Sequence, residues 1–229
     1  SSFQNLANYV NAFQQKMIMK REVIANKGIW TAKKRYILNV LNDEGLNLNE
    51  PKLKIMGIEA VKSSTPAPCR AKIKEALKVI MSKDEQSLIQ FIDEFRNHFN
   101  KLSPEEIAYP RSVNGVIKYT DTTNIYQKST PIHTKGSLLY NHYLKENKLT
   151  YKYETIKEGD KIKFIQLKEP NPIREKVIAF PTKLPKEFKL HPYVDYDSQF
   201  DKSFLEPLRF IVKAIGWNFE RQATLDMFF

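Results

Sequence analysis

The chain has 229 residues, of which 41% are hydrophobic and 12% are aromatic, so it can build one large domain or two small ones around a hydrophobic core. A single cysteine excludes an internal disulfide, and no run approaches the ~18 apolar residues of a membrane span. The formal net charge of +11 predicts a polyanionic partner.

The positive charge is concentrated in the first third of the chain. Residues 1–83 carry 15 Lys and Arg against 6 Asp and Glu, whereas residues 84–229 carry 22 against 20. This asymmetry favours a localised binding face. The alternative is a charge that serves only solubility. The lone cysteine and the lack of a signal-peptide pattern predict an intracellular, reducing compartment.

The first twenty residues predict an amphipathic helix. A chain that starts inside such a pattern is typical of a fragment or a split subunit, and residues 21–30 then look short and irregular. The apolar positions recur at spacings of three and four: Phe3, Leu6, Val10, Phe13 and Met17.

Two apolar-alternating runs follow, at 34–42 and 51–61, and they flank a turn at 42–45. This pattern predicts a β-hairpin or two paired strands. Cations lie at the entry of the first strand and again after the second, where a helix begins. Cationic and hydroxyl side chains next to a helix N-terminus predict a phosphate-binding surface. Its members are Lys33, Lys34, Arg35, Tyr36, Lys62, Ser63, Ser64 and Thr65.

The next helix is predicted to be capped by Ser64 or Thr65, with prolines in its first turn. We expect Cys69 to be an inert packing residue of this helix. A basic stripe recurs at every fourth residue on another face. It is either a DNA contact or an ordinary solvated helix face. Its members are Arg70, Lys74 and Lys78.

A further helix is predicted to start at Asp84 and to turn its acidic face away from any phosphate backbone. Beyond it the pattern is mixed. We expect another helix to open at Gly136 and a last one over 200–215. Short strands are predicted at 115–119, 161–167 and 175–180.

The chain closes on the pattern Q-x-x-L-x-x-F-F. One helical turn of this segment presents three apolar side chains and an amide, which either dock on the chain's own core or enter a pocket of a partner. The pattern resembles the box by which replication proteins hold a sliding clamp. The predicted clamp-binding residues are Gln222, Leu225, Phe228 and Phe229.

Longer motifs occur in order along the first third of the chain. They are M-x-M-x-R-E-x-I-A at 17–25, K-G-I at 27–29, W-T-x-K-K-R-Y at 30–36, P-K-L-K-I-M-G-I-E at 51–59 and K-S-S-T-P at 62–66. With these motifs the chain resembles the C-terminal part of a family B DNA polymerase of the T-even-like bacteriophage type. Weaker similarity runs through Ser112-x-Asn114, Lys118-Tyr119 and Phe204-Leu205-x-Pro207-Leu208.

The resemblance implies an α+β fold in which the edge of the palm sheet packs with helices and a mixed helical and β thumb follows. Residues 1–62 would complete the palm, 63–215 would form the thumb that holds the duplex behind the growing primer end, and 216–229 would form the clamp-binding tail. Lys34-Arg35-Tyr36 matches the family's K-x-Y motif, whose lysine and tyrosine contact the primer strand. Alternation along a strand would put Lys34 and Tyr36 on one face.

The resemblance also places Glu22 near the metal site, as the one candidate catalytic residue. The acid that precedes it in the family motif is Lys20 here, a departure that weakens any metal role. The family's metal-binding motifs, D-x-x-S-L-Y-P and Y-x-D-T-D-S, do not occur in the sequence. We therefore expect no metal ligand on this chain, Mg²⁺ bound by the complete polymerase, and no polymerisation by this chain alone.

The expected partners are primer–template DNA, a sliding clamp and an N-terminal polymerase segment that carries the aspartate motifs, in the cytoplasm of an infected bacterial host. A different hypothesis is a non-enzymatic, clamp-tethered DNA-binding accessory protein, and a third is a binder of structured RNA. Four dispersed histidines without cysteine partners give no metal-ligand spacing: His98, His133, His142 and His191.

Overall fold

The structure is a computed structural model and describes residues 2–10, 20–121 and 123–219. It combines helices with small antiparallel sheets, so the predicted α+β class is confirmed. The helices are α1 Ser2–Tyr9, α2 Ala67–Ser82, α3 Glu85–Phe99, α4 Pro104–Ile107, α5 Val116–Tyr119, α6 Ile132–Glu146, α7 Tyr196–Phe200 and α8 Glu206–Ala214. The strands are β1 Val23–Ala32, β2 Arg35–Asp43, β3 Leu46–Met56, β4 Tyr109–Ser112, β5 Thr120–Asp121, β6 Ile125–Tyr126, β7 Lys161–Gln166 and β8 Val177–Phe180.

The chain divides into two compact units. The first unit comprises residues 1–28 and 37–54, and the second comprises residues 29–36 and 55–229. The predicted palm–thumb boundary at 62/63 lies inside the second unit, and the assignment of palm, thumb and tail stays a prediction. In the described part of the chain, no helix is both long enough and apolar enough to cross a membrane.

Strands β1, β2 and β3 are hydrogen bonded in that order. The predicted turn between β2 and β3 is confirmed at Glu44-Gly45, where both residues have positive φ, as a type I′ hairpin turn requires. The expectation of irregular structure at 21–30 is wrong, because β1 covers most of it. Poor strand formers such as Asn26 and Gly28 hide β1 in the sequence.

The second run is a strand only up to Met56. Beyond it, Gly57 adopts a φ of 68° and residues Glu59–Val61 form a 3₁₀ turn, so the strand predicted over 51–61 ends early. The predicted cap of α2 is also wrong. Its N-cap is Pro66, which has no side-chain hydrogen bond to the helix.

The second unit has a helical core around α3. The predicted start of this helix at Asp84 is confirmed, since Asp84 is its N-cap and the Asp84 carboxylate accepts a hydrogen bond from the Ser87 amide at 2.9 Å. Phenylalanines of α3 and of the C-terminal helices pack edge to face, with ring centroids 4.7–5.8 Å apart, which favours their mutual contact beyond simple burial. The rings are those of Phe95, Phe99, Phe200 and Phe204.

The second unit also contains an antiparallel sheet in the order β4-β7-β8, with α6 packed on β8. The sequence predicted that this helix opens at Gly136, but helix α6 begins at Ile132. Gly136 instead allows close packing, since a Cβ there would lie 2.9 Å from the Ala179 amide nitrogen. The strand predicted at 115–119 is the helix α5, because the Glu158 carboxylate accepts hydrogen bonds from the amides of Gly115 and Val116 and so caps a helical turn.

Candidate nucleic-acid interface

The turn between β1 and β2 carries exposed positive charge. Lys33 and Lys34 form the turn and are exposed, and Arg35 and Tyr36 follow at the half-buried start of β2. We call these four residues the basic tip. Lys34 has a φ of 61° and precedes β2, so strand alternation does not set its direction and the argument that pairs it with Tyr36 on one strand face does not apply.

Gly57 fixes where the basic tip lies. A Cβ at Gly57 would be 2.4 Å from the Lys34 carbonyl oxygen and 3.1 Å from Cγ of Arg35. Gly57 also has φ +68°, in the left-handed region that side-chain-bearing residues avoid. The tip therefore packs directly on the backbone that follows β3, and only glycine fits at this contact.

Glu59 joins the basic tip to Lys62. Its Oε2 accepts a hydrogen bond from Nη2 of Arg35 at 2.9 Å, and its Oε1 accepts one from Nζ of Lys62 at 2.8 Å. Lys62 and its neighbour Ser63 are both exposed. The structure thus brings together the two basic segments that the sequence separates, and it leaves their cations at the surface.

A cleft of about 400 Å³ begins immediately after Lys62. In the strand ladder that forms its far side, Ser112 lies opposite Lys161. We call this feature the hydroxyl cleft because three of its side chains are serines. Its lining residues are Ser63, Ser64, Pro110, Arg111, Ser112, Lys161 and Ile162.

Two acidic residues near the end of β4 and the start of β7 already accept hydrogen bonds from backbone amides. Glu158 caps α5, and Oδ2 of Asp160 accepts a hydrogen bond from the Lys157 amide at 2.7 Å. Within the described ranges, neither Arg111 nor Lys161 forms an ion pair with a carboxylate. Both cations remain available for an anion.

One cleft cation, Arg111, also acts on the nearby histidine His133. Burial lowers the pKa of His133 below its ordinary value, and the positive charge of Arg111 lowers it further. His133 is therefore neutral at pH 7, and its proton affinity depends on the charge balance at Arg111.

Other predicted site residues contribute less to this surface. Thr65 is buried, with 5% of its surface exposed, so its hydroxyl does not join the cleft. The start of α2 is a poorer anion site than expected, because Pro68 in its first turn has no N–H. The basic stripe lies on α2 and does not line the cleft; Lys74 and Lys78 are exposed and Arg70 is half-buried.

Glu22 forms an ion pair with Lys54 in the first unit. The hydrogen bond from Lys54, together with its charge, lowers the pKa of the Glu22 carboxyl. Divalent cations such as Mg²⁺ take several oxygen ligands, and among the described residues no group of three His, Cys, Asp or Glu side chains could hold a metal ion. The residues around Glu22 therefore do not fit a Mg²⁺ site.

Several predicted features lie outside the described residues. The predicted helix over 1–20 is described only as α1 up to Tyr9, and Phe13 and Met17 fall in the gap. The four predicted clamp-binding residues also lie beyond the described chain: Gln222, Leu225, Phe228 and Phe229.

Of the seven residues that line the hydroxyl cleft, sequence reasoning named only Ser63 and Ser64 as site residues. Arg111 and Lys161 stand in short strands with no motif of their own, and Ser112 appeared only as part of a weak similarity. Glu59 was visible only as the last letter of the P-K-L-K-I-M-G-I-E motif. No spacing in the sequence connects these residues to Ser63, because the strand pairing of β4 with β7 places them.

Exposed lysines, arginines and serines that adjoin in this way suit contact with a nucleic-acid backbone.

No protein-family model matches the chain. Two curated proteins are similar to it along its whole length. The chain is 38% identical, over an alignment of 240 positions that covers 99% of it, to the DNA-directed DNA polymerase of Escherichia phage RB69. It is 33% identical over 240 positions, covering all of it, to the DNA-directed DNA polymerase of Enterobacteria phage T4.

These similarities confirm the predicted resemblance to T4-like phage DNA polymerases. The chain spans about a quarter of the length of each of these relatives, 26% in both cases. What the complete proteins do therefore enters here only as a proposal.

Proposed function

We propose that this chain is part of a family B DNA-directed DNA polymerase, acts inside the infected bacterial host cell, and holds the primer–template duplex. The observation that carries the proposal is the similarity along the whole chain to two phage DNA polymerases, together with the basic tip and the hydroxyl cleft that adjoin at Lys62-Ser63. The tip would contact the primer strand near its 3′ end, and the cleft would hold phosphates a few nucleotides upstream.

The chemistry of this surface supports binding to the DNA backbone without sequence preference. Lysine and arginine neutralise phosphates, and serine hydroxyls donate hydrogen bonds to phosphate oxygens, so both parts of the surface can be satisfied by backbone groups that every DNA sequence shares. A replicative enzyme needs such binding, because it must hold every sequence that it copies.

Titration of a labelled primer–template with the chain tests this proposal. If ~5 phosphates are neutralised, log affinity should fall with log salt at a slope of about −4 to −5. Affinity should be equal for duplexes of different sequence and higher for primer–template DNA than for structured RNA of the same length. A preference for the RNA would overturn the assignment in favour of an RNA binder.

Lys34→Ala tests the role of the basic tip. We expect this change to weaken primer–template binding and to slow extension by the complete enzyme. Lys34 is exposed at the turn, and within the described residues it forms no ion pair, so its charge can meet a phosphate. Lys83→Ala is the control, since Lys83 is an exposed lysine at the far end of α2. An unchanged affinity for the primer end in Lys34→Ala would count against the tip.

We propose further that the metal-binding aspartates lie on another polypeptide segment and that Mg²⁺ binds there. The sequence lacks both aspartate motifs, and the environment of Glu22 does not fit a metal site. The isolated chain should not extend a primer with Mg²⁺ and four triphosphates, and it should co-purify with a segment that carries the motifs. Failure to co-purify with any such segment, with DNA binding retained, would favour the clamp-tethered accessory protein.

The C-terminal pattern supports a proposal that residues 216–229 include a sliding-clamp contact. Deletion of residues 222–229, which removes Leu225, Phe228 and Phe229, should abolish stimulation of the complete enzyme by its clamp and leave distributive synthesis intact. Survival of clamp stimulation after this deletion would show that the segment has another role.

A further inference from the structure

Glu59 is a carboxylate in the middle of the proposed DNA-binding surface. Its two oxygens are used separately, Oε2 by Arg35 at 2.9 Å and Oε1 by Lys62 at 2.8 Å. The side chain of Glu59 is 20% exposed, whereas those of Arg35 and Lys62 are 31% and 42% exposed. A negative group in this place opposes the binding of a polyanion, so its presence needs a structural explanation.

The local fold builds this arrangement. Glu59 opens the 3₁₀ turn Glu59–Val61, and side chains at i and i+3 eclipse each other in such a turn, which puts Lys62 directly over Glu59. The backbone reinforces the contact, since the Lys62 amide donates to the Glu59 carbonyl oxygen at 3.2 Å. On either side of Glu59, Ile58 and Ala60 are buried and anchor the turn.

The other cation reaches Glu59 from a distant part of the sequence. Arg35 starts β2, and the contact between the Gly57 backbone and the Lys34 carbonyl brings Arg35 to the carboxylate. Without Glu59, two side chains of like charge would face each other across this contact and would separate. The carboxylate therefore sets the separation of Arg35 from Lys62.

We propose that Glu59 is a positioning residue, which holds Arg35 and Lys62 at a fixed separation so that they meet the primer–template backbone in one register. The inference rests on the proposed function, because it assigns a task within the DNA-binding surface. Glu59 lowers the affinity of this surface for DNA and in return fixes the primer end. Removing the Glu59 carboxylate should therefore raise the affinity for DNA and lower the rate of primer extension.

The test compares the wild type with Glu59→Gln, which keeps the shape of the side chain and removes its charge. In primer–template titrations with the chain, affinity should rise about threefold at low salt, and the salt slope should steepen by up to about one. In single-turnover extension by the complete polymerase, the rate at saturating DNA should fall about tenfold, because a loosely held primer end is misplaced.

Glu75→Gln is the matched control. Glu75 pairs with Lys72 at 2.6 Å, also three residues apart, and its change alters the net charge of the protein by the same amount. Glu75 lies on α2 and does not contact the tip or line the cleft. This variant should bind with less than twofold change and extend primers at the wild-type rate.

A second variant keeps the test decisive if Glu59→Gln folds poorly. Glu59→Asp keeps the negative charge but shortens the side chain by one methylene, so that its carboxylate no longer reaches both Arg35 and Lys62 at hydrogen-bond distance. Its affinity should stay within about twofold of wild type because the charge is unchanged, but extension should be slow. Extension at the wild-type rate by this variant would overturn the proposal.

The remaining outcomes separate the two proposals. If the wild-type chain does not bind primer–template DNA, the proposed function fails. If the wild type binds but Glu59→Gln loses affinity and rate in the same proportion as it loses folded protein, Glu59 has only a structural role and the positioning proposal fails. Wild-type values of affinity, slope and rate in Glu59→Gln would overturn it as well.

Discussion

The basic tip and the hydroxyl cleft present positive charge in two different ways. In the tip, three consecutive residues, 33–35, supply the cations, and Glu59 holds one of them, Arg35, through an internal ion pair. In the cleft, single cations come from two strands that are far apart in the sequence but paired in the sheet, Arg111 from β4 and Lys161 from β7, and serines line the same cleft. Under the proposed function, this difference predicts that the tip mainly places the primer end and that the cleft mainly supplies affinity.

Removing both cleft cations should give the largest loss of affinity. A hydrogen bond to a charged group contributes about 1.5–3 kcal/mol, so Arg111→Ala with Lys161→Ala should weaken duplex binding by a factor on the order of 100 at low salt. Each lost phosphate contact also reduces the salt slope by about 0.9, so the slope should become shallower by about two. Fluorescence anisotropy over a salt series measures both.

The control removes two lysines far from the cleft. Lys83 lies at the end of α2, about 24 Å along the helix axis from its first residue, and Lys145 lies near the end of α6. Lys83→Ala with Lys145→Ala loses the same charge and should change affinity by less than about threefold. An equal loss in both double variants would mean that net charge alone drives binding.

Gly57→Ala should disturb the tip and leave the cleft intact. The alanine meets the Lys34 carbonyl and adopts a left-handed φ, which costs about 1–2 kcal/mol before any clash is counted. We expect a loss of at least ~2 kcal/mol in the free energy of unfolding and a loss of affinity of about tenfold. Thermal unfolding and DNA titration measure the two effects.

Gly45→Ala separates backbone strain from the clash. Gly45 has a φ of 93°, but nothing lies within 4 Å of a Cβ there. This control should lose stability by the strain alone, about 1–2 kcal/mol, and should keep its affinity for DNA. If it loses as much affinity as Gly57→Ala, the contact between Gly57 and the tip does not position Lys34.

Removing the cleft hydroxyls should have a smaller effect of another kind. Ser63→Ala with Ser64→Ala deletes two neutral donors, each worth about 0.5–1.5 kcal/mol, so affinity should fall about fivefold. The salt slope should not change, because no counterion is released by a hydroxyl. A shallower slope in this variant would show that the serines act by placing the cations.

The smallest effect should come from His133. A phosphate bound at Arg111 offsets the charge that lowers the pKa of His133, so the pKa in the complex is higher than in the free protein. The complex then holds more protons below about pH 6.5, and affinity should rise about twofold as pH falls through that window. Because the complex takes up a proton that the free protein does not hold, lowering the pH favours the complex and raises the affinity.

Titration at pH 7.5 and pH 5.5 checks this dependence. His133→Gln should abolish the part of the increase that depends on His133 and should match the wild type at pH 7.5, where the histidine is neutral. An identical pH dependence in both proteins would mean that the phosphate does not reach Arg111.

Local patterns predicted the tip better than the cleft. The cation run at 33–35 and the turn at Glu44-Gly45 are visible in the sequence because neighbouring residues form them. The cleft depends on the register that puts Ser112 opposite Lys161, and no local pattern encodes that pairing. The strand expected at 115–119 failed for a similar reason, since its helical cap comes from Glu158.

The sequence by itself determined the α+β class, the start of α3 at Asp84, the basic first third and the similarity to phage polymerases. These depend on periodicity, capping residues and motif order, which are properties of neighbouring residues. Only the tertiary structure decided that Gly57 positions the tip, that Glu59 joins Arg35 to Lys62, and that β4 and β7 complete the cleft. Those contacts join distant segments, so long-range packing and strand pairing fix them.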